Sequence, residues 1–238
     1  MKKVITKAVR KFRERRFDIE NPLGKKILDK KLSYLSKGAL HSIQQVIKKL
    51  ESDKIEGKFV EMGCALGGSS IQIGKTKSRD RVFEVYDVFG MIPEPSKKDS
   101  EDIHERYDVI VNGESSGIDG NKYYGYEEDL LSKVKSNLTQ FGLLQDDNIF
   151  FVKGLYQDTL DIDSAIAFAH IDCDWYDSVM TCLTRIEPYL SVGGVMIIDD
   201  YYSWSGCKDA VDDYYTPEKR SKVSFVKRAG KLVITKTN

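Results

Sequence analysis

No stretch of this chain approaches the roughly 18 consecutive apolar residues of a membrane span. Its first residues carry no apolar run of the kind that marks a secretory signal. Both absences predict a cytoplasmic protein without a transmembrane segment. Histidine is scarce, with three in 238 residues, and the four cysteines (Cys64, Cys173, Cys182, Cys207) form no C-x-x-C pair. A structural zinc site needs clustered thiolates and imidazoles, so none is expected. The cysteines read instead as reduced thiols in the core or lining a site. Net charge is absent too: 37 Lys and Arg balance 37 Asp and Glu, so no global field draws the chain to nucleic acid. There is no internal repeat and no low-complexity tract. An apolar share of 41% and a charged share of 31% fit a globular protein, and the length fits one α/β domain or at most two small ones.

What is present is a rhythm of short apolar runs and amphipathic stretches. Residues 1–17 are basic (Lys2, Lys3, Lys7, Arg10, Lys11, Arg13, Arg15, Arg16), with Ile5, Ala8, Val9 and Phe12 on one helical face. Two readings stay open for this arm: a membrane-surface or partner-binding helix, or a solvated arm on its own domain or a second subunit. A helix is expected from about Ser33 to Glu51, from the spacing of Leu40, Ile43, Val46, Ile47 and Leu50. Residues 1–50 thus read as a basic arm and helical cap, ahead of a domain over 51–238. In that domain strands are expected at Lys58–Met62, Val82–Tyr86, Ile149–Lys153, Ile166–Ile171 and Val195–Ile198. Helices fall between them, near Ser69–Lys75, around Leu130–Phe141, over Ser178–Leu190 and over Cys207–Tyr215. Such alternation argues a doubly wound, mostly parallel sheet. Two runs flanking Ala229-Gly230 (Lys222–Arg228, Lys231–Lys236) add a C-terminal antiparallel hairpin. The polar stretch at about 91–126 breaks the rhythm and reads as an irregular, lid-like insertion or a surface excursion.

Three motifs carry chemistry. Val60-Glu61-Met62-Gly63-Cys64-Ala65-Leu66-Gly67-Gly68-Ser69-Ser70 is a strand ending in an acid, a glycine turn and a helix start. Glycines let backbone approach a ligand closely. The spacing is not the G-x-G-x-x-G of dinucleotide binders, and Glu61 would repel a pyrophosphate while suiting an amino group. Asp87 ends the second strand, where an acid can hold both hydroxyls of a ribose. Finally Asp172 and Asp174 end the fourth strand, and Asp199-Asp200 the fifth. Carboxylates converging at the C-terminal edge of a parallel sheet can hold a hard divalent cation such as Mg²⁺. His170, one residue inside its strand, reads as structural more readily than as a base. Trp175, Tyr176, Tyr201, Tyr202 and Trp204 crowd the same edge as a pocket wall or as core.

Taken together these residues resemble the macrocin O-methyltransferase family. The likeness runs through Val60-Glu61-x-Gly63 with Gly67-Gly68, Tyr86-Asp87-x-Phe89, Phe141-Gly142-Leu143 and Lys153-Gly154. It continues through His170-Ile171-Asp172-x-Asp174-x-Tyr176, Leu190-x-x-Gly193-Gly194, Asp199-Asp200-Tyr201 and Gly206-Cys207-x-x-Ala210-Val211-Asp212. The resemblance implies a seven-stranded class I methyltransferase sheet and Mg²⁺-dependent, S-adenosylmethionine-dependent methylation of a hydroxyl, usually on a sugar of a natural product or glycan. It implies cofactor binding by Glu61, Gly63, Gly67, Gly68, Ser69, Ser70 and Asp87, metal binding by Asp172, Asp199 and Asp200, and Asp174 as general base. Val88-Phe89-Gly90 departs from the family, which usually has an acid before that glycine, and 91–126 looks unlike typical members. A nicotinamide dehydrogenase would need the missing pyrophosphate turn. A catechol-type phenol methyltransferase would carry a lysine near the first metal-ligand aspartate, where Asp174 and Trp175 stand here. A non-catalytic scaffold would have lost a site carboxylate. The expected partners are a small-molecule, nucleotide-sugar or glycan acceptor and no nucleic acid; peripheral membrane contact through the basic arm and homo-oligomerisation stay open.

Overall fold

Five apolar runs, each too short for a buried helix, become parallel strands: β1 (Lys58–Met62), β2 (Phe83–Asp87), β3 (Ile149–Lys153), β4 (Ile166–Ile171) and β5 (Leu190–Ile198). The computed structural model describes residues 14, 16–143 and 147–238. The basic helix read over 1–17 therefore falls, apart from 14, 16 and 17, outside the described residues. The chain closes with β6 (Val223–Arg228) and β7 (Lys231–Lys236), and the sheet order is β3-β2-β1-β4-β5-β7-β6. β7 runs antiparallel to both neighbours. The fold is thus the seven-stranded, mostly parallel sheet with a C-terminal antiparallel hairpin expected from the sequence.

Strand side chains alternate between faces, and each face has its own core. Phe59, Phe168, Val195 and Ile197 point to one face, under α1 (Pro22–Asp29), α2 (Lys37–Ser52), α3 (Gly68–Thr76) and, after α4 (Glu101–Val111), α5 (Leu130–Gln140). The Phe59 and Phe168 rings meet edge to face at 5.5 Å in its centre. Val60, Met62, Ala169, Ile171, Met196 and Ile198 point to the other, under α6 (Tyr156–Thr159), α7 (Tyr176–Ile186) and α8 (Ser205–Tyr214). A short α9 (Pro217–Arg220) leads into the hairpin.

Several elements differ from the sequence expectation, and four of the differences have a clear local reason. α2 starts at Lys37 because the Ser36 hydroxyl accepts the Ala39 N–H at 3.2 Å and caps the helix there. α7 stops at Ile186, before Pro188, whose ring cannot continue a helix. β5 begins five residues earlier than Val195, at Leu190, since the Gly193-Gly194 step keeps it paired with β4 across a register shift. The 91–126 segment is not irregular throughout: α4 buries Ile103 and Ile110 and begins with Glu101 and Asp102, acids that suit a helix N-terminus.

Two features of the frame are testable. Arg81 ties the α2 end to the sheet, giving two N–H groups to the Ile55 and Gly57 carbonyls (2.8 and 2.6 Å) and a fork to Glu51. Burial raises the Glu51 pKa, but Arg81 and Ser78 outweigh it and hold the carboxyl below its ordinary 4.5. Stability from this group is therefore present above pH 4.5 and lost as pH falls further. Urea unfolding of Glu51→Gln should show a loss of about 1–2 kcal/mol at pH 7 that shrinks towards pH 3. Gly63, at φ +82, passes so close to β4 that a Cβ there would overlap the Asp172 carbonyl oxygen. Gly63→Ala should cost about 3 kcal/mol or more, combining backbone strain with overpacking. Gly230→Ala, at φ +84 with nothing within 4 Å, should cost only about 1 kcal/mol.

Candidate active site

β1 and β4 pair so that Glu61 lies opposite His170, and β4 and β5 pair so that His170 lies opposite Ile197. Two residues beyond Ile197 on the same face comes Asp199, where β5 ends. On the far side of β5, the antiparallel β7 pairs Leu232 with Ile198, which brings its first residue, Lys231, to the same edge. A polar row thus crosses four neighbouring strands: Glu61, His170, Asp199, Lys231. His170 Nδ1 lies 3.0 Å from Glu61 Oε1, and the Ser70 hydroxyl at the start of α3 donates to the other Glu61 oxygen. His170 Nε2 faces Asp199 Oδ1 at 3.8 Å, and neither of these buried atoms has a hydrogen-bond partner among the described residues. The Lys231 ammonium donates to Asp199 Oδ2.

The charges in this row set one another's protonation. Burial favours a neutral His170, but Asp199 and Glu61 outweigh it, and the pKa is pushed up to about 10. Burial likewise raises the Asp199 pKa, yet His170 and Lys231 win and hold it below the ordinary carboxylate value. The other three acids lack such partners. Asp172 and Asp174 are raised well above 3.8, by burial first and then by repulsion from the neighbouring aspartates. Asp200 is raised by burial and by repulsion from Asp199, and its close neighbours Asp174 and Asp172 only partly offset that rise. Carboxyls gathered this closely must share a proton or a cation.

All four aspartates open onto a cavity of about 330 Å³. Its floor is the glycine turn and the strand ends: Gly63, Ser69 and Asp87 of the residues singled out from the sequence for the cofactor. The Asp87 carboxylate is fixed by two backbone N–H groups, Cys64 at 2.8 Å and Phe89 at 2.7 Å. Phe89 takes a positive φ of 47° to turn back onto it. Glu61, Gly67, Gly68 and Ser70 stand behind that surface. Glu61 is 0% exposed and serves His170 and Ser70, while Gly68 lets α3 pass close under the N-terminal segment, where a Cβ would lie 2.6 Å from Ser33 Cβ.

The roof comes from the 91–126 segment, through Ile92, Pro93, Arg106, Ile110, Tyr123 and Tyr124. It is tied down at both strand ends. Trp175 Nε1 donates to the Pro93 carbonyl (2.8 Å), the Tyr176 N–H donates to Asp99 (2.7 Å), and the Ser205 hydroxyl donates to Asp102 (2.5 Å). Trp175 and Trp204 line the cavity, whereas Tyr176 and Tyr201 are turned to Asp213 and Asp212. Tyr34, stacked edge-on against Tyr124 at 5.9 Å, closes the N-terminal side.

Sequence reasoning missed Lys231, Arg106 and the aromatic roof. For Lys231 a signal existed: the first residue of an antiparallel strand lies at the C-terminal edge of its parallel neighbours. For Arg106 the signal was the Ile103–Tyr107–Ile110 spacing, which makes 101–111 a helix with Arg106 beside the buried stripe. Tyr34, Tyr123 and Tyr124 gave no signal beyond being aromatic. Among the described residues no helix is long and apolar enough to cross a membrane, and the four cysteines are unpaired.

Known proteins resemble this chain in sequence and fold. Demethyldecarbamoylnovobiocin O-methyltransferase of Streptomyces niveus is 31% identical over 187 residues, 74% of this chain and 64% of its own length. Mycinamicin III 3''-O-methyltransferase of Micromonospora griseorubida is 30% identical over 185 residues, 74% of this chain and 66% of its own. The match therefore covers just under two thirds of each relative. The solved structure of the O-methyltransferase NovP superposes with a TM-score of 0.71 at 25% identity, covering 87% of this chain and 83% of that one. The family model for macrocin O-methyltransferase (TylF) matches residues 29–223, which take in β1 to β5, the glycine turn and all four aspartates. By that match the chain belongs to the macrocin O-methyltransferase family.

Proposed function

We propose that the chain is an S-adenosylmethionine-dependent O-methyltransferase whose acceptor is a sugar hydroxyl of a small natural product, nucleotide sugar or glycan. One observation carries the reading: four aspartates meet in a roofed cavity beside a glycine turn and a strand-ending acid. The relatives' names support the acceptor class. One names demethyldecarbamoylnovobiocin, another mycinamicin III methylated at a 3'' oxygen, and a third, from Streptomyces olivaceus at 31% identity over 188 residues, a rhamnosyl-tetracenomycin methylated at a 4' oxygen.

S-adenosylmethionine, when bound, supplies a sulfonium methyl open to in-line attack. Asp87, fixed by the Cys64 and Phe89 N–H groups at the cavity floor, takes the ribose hydroxyls in this reading, and Gly63 and Ser69 offer close backbone and a hydroxyl to the rest of the cofactor. Glu61 acts behind this surface, orienting Ser70 and His170 rather than meeting the ligand. Asp172, Asp199 and Asp200 are the candidate metal ligands. Oxygen donors suit a hard cation, and the partnerless Asp199 Oδ1 and the neighbouring acids raised by mutual repulsion fit a missing positive charge. His170 Nε2 also lies within reach of Asp172 and Asp199, all within 4.8 Å, but its proton and its bond to Glu61 make it a support for Asp199. A divalent cation, when bound, acidifies and orients the acceptor hydroxyl.

Asp174 then has the chemistry of a general base. It lines the cavity two residues past Asp172, and its raised pKa brings it towards the range in which a carboxylate accepts a proton usefully. The aromatic roof, with Trp175 and Trp204, excludes water and offers flat apolar faces to a sugar ring. Residues 91–126 act as the lid of this chamber.

Calorimetric titration with S-adenosylmethionine should give micromolar binding, and Asp87→Ala should weaken it by about 10- to 100-fold, the value of charged hydrogen bonds of about 1.5–3 kcal/mol. Absence of binding by the unaltered protein would refute the reading. With an acceptor in hand, Asp174→Asn should keep cofactor affinity but lose turnover by about 10²- to 10⁴-fold; turnover close to that of the unaltered protein would remove Asp174 from the role of base.

A further inference from the structure

We infer that Lys231 is a built-in counter-cation of the acidic cluster, competing with a bound divalent metal for Asp199. The inference rests on the proposed metal role of Asp172, Asp199 and Asp200, and it concerns a residue beyond the stretch matched by the family model, 29–223.

Lys231 reaches Asp199 through topology. β7 enters the sheet antiparallel to β5, with Leu232 opposite Ile198, so the hairpin turn at Ala229-Gly230 delivers Lys231 to the edge where β5 ends. The ammonium bonds Asp199 Oδ2, with the Lys231 side chain 18% exposed and that of Asp199 6%. A pair this sheltered is not screened as a surface ion pair would be. Lys231 and Arg106 are the two cationic side chains on the cavity wall, and among the described residues Arg106 has no carboxylate within ion-pair distance, bonding Ser115 instead. Lys231 is thus the cation on the cavity side of the cluster; His170, the other, is held on its far side by Glu61.

Asp199 therefore has two claims on it. Oδ1 is aimed inwards with no hydrogen-bond partner, while Oδ2 is held by an ammonium that a dipositive ion would repel. A metal bound by both Asp172 and Asp199 would lie within a few ångströms of that ammonium, so Lys231 has to release Asp199 or be paid in lost affinity. The flexible stem of a lysine permits release, and the adjoining cavity of about 330 Å³, which Lys231 lines, gives the head group space. Lys231 thus keeps the four acids folded when no metal is bound and lowers the affinity for one that arrives.

The test is Mn²⁺ titration by calorimetry on the full chain, beside thermal unfolding in EDTA. Lys231→Met should bind Mn²⁺ at least about tenfold more tightly, one charge removed being worth about 1.4 kcal/mol or more at close range. The same variant should melt lower in EDTA and gain more from added Mn²⁺ than the unaltered protein. Lys231→Arg, which keeps the charge, should stay near the unaltered affinity. Should Lys231→Met fail to fold, Lys231→Gln can still donate to Asp199 without charge, and the same tighter binding is expected. If metal binds the unaltered protein and the neutral variants bind it equally or more weakly, Lys231 is only a structural partner and the inference fails while the metal reading stands. If none of them binds Mn²⁺ but S-adenosylmethionine still binds, both the inference and the metal assignment fall, leaving the cofactor reading in place.

Discussion

The site depends on one buried imidazolium. His170 sits in the second row from the edge of β4, with Glu61 on one side and Asp199 on the other, and each of the three is nearly or wholly out of water. An isolated charge at such a position would be neutralised by its own desolvation. Alternation of sign across β1, β4, β5 and β7 avoids that outcome, because each charge has an opposite one on the next strand. Breaking a pair of this kind is more damaging than never having built it. The row therefore constrains the register of four strands at once: a one-residue slip would turn its members to the other face.

That constraint explains why the edge above it can be so acidic. Asp172 and Asp174 follow β4 directly, and Asp199-Asp200 follow β5, so strand pairing alone sets four carboxylates together. Burial and mutual repulsion raise three of them, whereas Asp199, flanked by His170 and Lys231, stays ionised. The edge accordingly holds one carboxylate held ionised by its neighbours and three acids whose pKa values burial and repulsion raise. The backbone contributes as well. Gly63 lets β1 approach the Asp172 carbonyl, and the Asp172 N–H donates to the Met62 carbonyl at 2.9 Å, which ties the glycine turn to the acidic edge.

Most of this frame was legible in the residues. β1, β3 and β4 have the bounds that their apolar runs predict, and β2 shifts by a single residue. All four aspartates, with Gly63, Ser69 and Asp87, reach one cavity. These are features that one strand and its terminus decide locally. What was illegible needed two strands or two distant segments. Glu61 reads as a ligand contact when seen alone, and only its cross-strand neighbour turns it into a support for His170. Tyr34 and Tyr124 are 90 positions apart in sequence, and nothing in either segment foretells their meeting. The helix within 91–126 was hidden by polar residues around its narrow stripe of Ile103 and Ile110, which suffices to pack an insertion against a cavity mouth but not to dominate its composition.

The last strand pair is the piece that completes the site rather than decorating it. A sheet that stopped at β5 would leave that strand at an open edge, one side of its backbone unpaired and the Asp199 carboxylate balanced by His170 alone. Inserting β7 between β5 and β6 pairs that edge. Because β7 is antiparallel, it contributes its first residue to the functional edge, where a parallel strand would contribute its last. A hairpin is also the shortest way to return a chain to that edge, so the position of Lys231 is fixed by a two-residue turn rather than by a long loop. Structural completion of the sheet and charge balance in the acidic cluster are, in this chain, consequences of the same turn.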